Sequence, residues 1–66
     1  MQILLNGKAH ELPGETTVAG LMESLGLRTE IVAVEVNEGL VARARRDEHC
    51  LAEGDRVEIV TLVGGG

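Results

Sequence analysis

The chain has 66 residues, 44% of them apolar, no aromatic residue and a formal net charge of −5. A chain this short is one domain that buries only ~60% of the surface its unfolded form exposes, and it has no room for a deep pocket enclosed by its own walls. Without aromatics there are no base-stacking platforms, and the negative charge disfavours nucleic acid and anionic membrane. Composition therefore favours a module that acts through protein partners.

Met1 to Leu5 is an apolar run closed by Asn6-Gly7, a dipeptide that supplies positive φ for a tight hairpin turn. Lys8 to Leu12 alternates polar and apolar as a returning strand, and Pro13-Gly14 ends it. Glu15-Thr16-Thr17 reads as a helix start, with a threonine hydroxyl as cap and Glu15 near the positive end of the dipole. Val18, Leu21, Met22 and Leu25 then fall on one helical face, and Gly26 stands where a left-handed C-terminal cap is expected. Gly20 costs about 1 kcal/mol relative to alanine, which close approach of helix to sheet would explain.

Ile31 to Val36 is nearly continuous and β-branched, the pattern of a strand buried on both faces. Asn37-Glu38-Gly39 is a second turn, and Leu40-Val41 begins a short return strand. Residues 42–50 are charged and irregular, Glu53-Gly54-Asp55 makes a third turn, and Arg56 to Val63 is the last strand. A helical crossover after the second strand lets the first and last strands lie parallel. The expected fold is α+β, a ubiquitin-like β-grasp of four to five strands in a mixed sheet with one main helix across one face. The domain occupies residues 1–63, followed by a flexible glycine tail at 64–66.

Three glycines after a strand present the Gly66 carboxylate on a thin arm with no side chains, able to thread a narrow channel. At the same time, glycine is simply tolerated at many chain ends. Taken together, Met1-Gln2-Ile3-Leu4-Leu5-Asn6-Gly7, Thr17-Val18-Ala19-Gly20-Leu21, Val34-Glu35-Val36-Asn37 and Glu53-Gly54-Asp55-Arg56-Val57-Glu58-Ile59-Val60 leading into Val63-Gly64-Gly65-Gly66 resemble the ThiS-type sulfur carriers of thiamine biosynthesis.

The resemblance implies a carrier and co-substrate, not an enzyme. A ThiF-type adenylating partner would consume ATP to activate Gly66, which then becomes a thiocarboxylate donating sulfur to a ThiG-type thiazole synthase. Gly64 and Gly65 would be the threading segment. The carrier itself would bind no cofactor and be a monomer when free. Two alternatives share the fold and tail: the small subunit of molybdopterin synthase, whose chains are usually longer, and a ubiquitin-like protein modifier.

Other sites weigh less. Cys50 beside His49 could suggest a thiol nucleophile with its base, but adjacent residues of an extended segment point apart, and a lone cysteine is commonly a small buried apolar residue. The same single cysteine excludes an internal disulfide framework. His10, His49 and the carboxylates show no compact metal-ligand spacing, so no metal is expected. Arg43, Arg45 and Arg46 read as a solvated loop, with a docking contact as the alternative. If Val57, Ile59 and Thr61 face the helix, Val60 and Leu62 face away, either as a docking patch or as ordinary exposed apolar residues. No basic-then-apolar leader opens the chain and no apolar run nears the ~20 residues that span a bilayer, so a cytoplasmic location is expected.

Overall fold

The computed structural model describes residues 1–27 and 32–61. Strands β1 (Gln2–Leu5) and β2 (Lys8–Glu11) form an antiparallel hairpin, with Leu5 opposite Lys8 across a two-residue loop. Asn6 and Gly7 both take positive φ, at 50° and 84°, as that tightest hairpin loop requires.

Helix α1 (Val18–Ser24) begins at Thr17, whose hydroxyl accepts the Gly20 N–H at 3.0 Å. The first N–H groups of any helix lack intrahelical partners. Here the Val18 N–H donates to the His49 carbonyl and the Ala19 N–H to the Arg46 carbonyl, both at 2.9 Å. The expected dipole role of Glu15 is not realised, because that residue lies outside the first turn. At the other end Gly26, φ 73°, donates to the Glu23 carbonyl while the Leu27 N–H reaches back to Met22. These paired bonds form a Schellman cap. The reversal turns Leu25 outward, 37% exposed, and it does not join the buried face expected of it. Leu27 packs against the core instead.

Gly20 departs from expectation too. A Cβ there would meet Thr17 and Thr16 side-chain atoms at 3.4 and 3.5 Å, not the sheet. Close approach to the sheet is not what the glycine provides.

Strand β3 (Val32–Val36) buries Val32, Val34 and Val36 and leaves Ala33 and Glu35 half-exposed. It is therefore buried on one face, not two, because the helix covers only that side; Ile31 lies outside the described residues. β4 is Gly39–Leu40, one residue earlier than expected, and Val41 enters the core. Asn37 and Glu38 form the loop, with φ 52° and 72°. β5 (Arg56–Thr61) completes a five-stranded sheet in the order β2-β1-β5-β3-β4, parallel to β1 and antiparallel to β3. The expected extension of this strand to Val63 lies outside the described residues.

The core is wholly aliphatic apart from Met22. Ile3, Leu12, Val18, Leu21, Val34 and Val57 meet between sheet and helix. Residues 42–50 are less irregular than their sequence suggests. A 3₁₀ turn at Arg43–Arg45 carries Arg46 inward to 6% exposure, where its Nη2 donates to the Val32 carbonyl. Arg46 is thus no part of a solvated loop: its side chain holds β3 and its backbone caps α1. Arg45 stays exposed, 3.4 Å from Glu48.

Replacing Arg46 with alanine is expected to lower stability by about 2–3 kcal/mol, as loss of a buried charged donor does. Arg45→Ala should change it by less than about 0.5 kcal/mol. Urea melts of the two variants check the contrast, and equal effects would contradict the buried role of Arg46.

Candidate functional site: the end of β5 and the open face of the sheet

β5 is the middle strand, held by β1 over its first half and by β3 along its whole length. On one side the Leu4 N–H donates to the Asp55 carbonyl and the Asn6 N–H to the Val57 carbonyl, at 2.9 and 2.8 Å. That ladder ends where Asn6 Oδ1 accepts the Ile59 N–H at 2.9 Å. On the other side β3 accompanies β5 to its last described residue, with Thr61 opposite Val32. The start of β5 is tied as well. Asn37 Nδ2 donates to Asp55 Oδ1 at 3.1 Å, and Asn37 Oδ1 accepts the Arg56 N–H at 2.9 Å.

Alternation along β5 falls as expected through Val60, whereas Thr61, expected on the helix side, is exposed. Val57 is buried, Ile59 packs against the core, and Val60 points to the opposite face at 54% exposure. Leu62, Gly64, Gly65 and Gly66 lie outside the described residues. The same open face carries apolar residues that sequence reasoning did not single out: Leu4, exposed on β1, and Leu40, 71% exposed on β4. Their signal was the period-two alternation around Ile3 and Val41, which becomes decisive only with the strand register. Glu35 and Glu58, directly opposite each other, complete this face.

The remaining candidates do not converge. Cys50 is exposed, contrary to the buried role expected of it, and pairs through its backbone with Thr17 in an isolated bridge. His49 lies in a shallow surface groove with Leu40, Arg45 and Glu48. Among the described residues no cluster of His, Cys, Asp and Glu is arranged to hold a metal ion, and no helix is long and apolar enough to cross a membrane.

A single helix laid across a mixed five-stranded sheet, with the first and last strands parallel at its centre, defines a ubiquitin-like β-grasp domain. The profile of the ThiS family matches residues 3–66. The chain belongs to that family. It is 32% identical to the sulfur carrier protein ThiS of Escherichia coli over the full length of both. The crystal structure of a thiamine biosynthesis protein (ThiS) from Geobacter metallireducens superposes with a TM-score of 0.85 at 32% identity, covering all of both chains. A thiazole synthase of Magnetococcus marinus is 42% identical over all 66 residues of this chain. The chain spans only 20% of the length of the thiazole synthases it matches.

Because Cys50 is exposed and outside the core, Cys50→Ser should shift stability by less than about 0.5 kcal/mol and leave C-terminal sulfur loading intact. A melting curve and intact mass spectrometry after loading check both. Loss of loading in a folded variant would contradict the expectation from the sequence that sulfur is carried at Gly66 alone.

Proposed function

We propose that this chain carries sulfur on its C-terminus for thiazole formation in thiamine biosynthesis, with the Gly66 carboxylate as the group that is loaded. The observation that carries this reading is the family match, which runs through the tail to residue 66. A carboxylate resists nucleophilic attack, because attack adds charge to an anion. An adenylating enzyme solves this by letting the Gly66 carboxylate oxygen attack the α-phosphate of ATP. Pyrophosphate leaves and an acyl-adenylate forms. A sulfide-level donor then displaces AMP, and loss of a proton leaves a thiocarboxylate whose sulfur is a competent nucleophile. Gly64 and Gly65 thread the partner's channel, and Val60 and Leu62 contact its surface.

Thiazole synthase is the acceptor in this reading. Two proteins of that name contain a stretch similar to this entire chain, which supports the two parts acting in sequence.

Deleting Gly66 moves the carboxylate inward by up to ~3.5 Å, enough to break alignment with the α-phosphate, since reacting atoms must approach within ~3–3.5 Å. Gly65→Val adds a β-branched side chain to the threading segment. Both variants should lose ATP–pyrophosphate exchange with the adenylating enzyme of the same organism while melting as the parent does. Exchange at the parental rate by the shortened chain would remove Gly66 as the activated residue. Separately, Val60→Asp with Leu62→Asp should raise the KM for the carrier without unfolding it, whereas an unaltered KM would show that this patch does not dock.

A further inference from the structure

The open face of the sheet holds a pair of like charges in direct register. Glu35 of β3 and Glu58 of β5 stand directly opposite in antiparallel register, an arrangement in which like charges destabilise a sheet. The ion pairs among the described residues are Met1–Glu11, Arg45–Glu48 and Arg56–Glu38, and none relieves these two carboxylates. Arg56, two residues before Glu58 on the same strand, lies toward Glu38 at 3.8 Å.

The pair has apolar neighbours on two sides and Arg56, two residues away on the same face of β5, on another. On the far side of Glu35 its partner in register is Leu40, and the next row along β3 and β5 is Ala33 opposite Val60. A face that only needed solvation would carry a threonine or lysine opposite each glutamate. This face instead combines exposed aliphatic side chains with carboxylates held together at a cost, and a bound partner would convert both features into contacts.

The chemistry of the occupant follows from sign and symmetry. Nucleic acid and anionic lipid are repelled by the pair and by the net charge of −5. A second copy meeting face to face about a two-fold axis would set carboxylates against carboxylates. A protein surface presenting arginine satisfies both features, since a guanidinium bridges carboxylates in fixed geometry while its planar faces lie against apolar neighbours.

We propose that Glu35 and Glu58, with Leu40 and Val60 beside them, form the recognition element through which an arginine-bearing surface of thiazole synthase grips the domain. The inference rests on the carrier reading above. It assigns the contact to the middle of the open face, and it makes the acidic pair a device held for recognition at the expense of stability.

The test is titration of thiazole synthase from the same organism with the full chain and with Glu35→Gln, Glu58→Gln and the double variant, at low and high salt, beside a melting curve for each. The double variant should bind about tenfold more weakly at low salt and lose most of its salt dependence. Its melting temperature should rise by roughly 2–4 °C as the repulsion is removed. Parental affinity and salt dependence in the double variant would overturn the proposal, as would a fall in melting temperature, which would mean that the pair serves the fold. Parental binding with unaffected variants removes this inference alone, whereas failure of the parent chain to bind thiazole synthase removes the acceptor assignment together with it.

Discussion

Parallel neighbours cannot be joined by a tight turn, and β1 and β5 lie side by side at the centre of the sheet with their chains running the same way. Everything between them in sequence serves as the crossover. The helix must leave the sheet after β2, cross one face, and return the chain so that β3 can pair with the far side of β5. That single constraint explains why one face is covered and the other exposed, and why β5 has a neighbour on each side. It also explains why the core can be built from valine, leucine, isoleucine and one methionine: a short helix over five narrow strands encloses a thin layer that such side chains fill.

The segment 42–50 then acts as the fastener between the layers. Its carbonyls receive the orphan donors of Val18 and Ala19, while the Arg46 guanidinium reaches the first residue of β3. The start of the helix is thereby satisfied by the protein itself. Its positive end is not an anion site. The described helix and sheet interior are committed to holding the fold.

Features governed by local chemistry were legible in the sequence. Asn6-Gly7 announced the first hairpin because few residues accept positive φ, and Gly26 marked the helix end for the same reason. What failed was decided by contacts distant in the chain. The second hairpin slipped by one residue because Glu38, not Gly39, occupies the second left-handed position, held within a turn that Asn37 ties to Asp55 and Arg56. Three arginines in a charged stretch read as solvated, and nothing local reveals that a 3₁₀ turn swings the third beneath the sheet. At the site, the terminal glycines were legible as a motif, whereas the Glu35–Glu58 pair was not, since neither glutamate is notable until the register of β3 on β5 is known.

The placement of β5 also bears on how a tail without side chains can be useful. A glycine segment has many conformations, and each must be surrendered when a partner's channel receives it. That cost is tolerable if the channel need only order the last few residues, and so the root from which they start must already be fixed. Thr61 meets this need. It stands on a ladder that β3 sustains along five pairs of described residues, on a strand whose first half is also bonded to β1. Beyond Ile59 the neighbour that holds β5 among the described residues is β3, so the point from which the tail starts is set by that ladder.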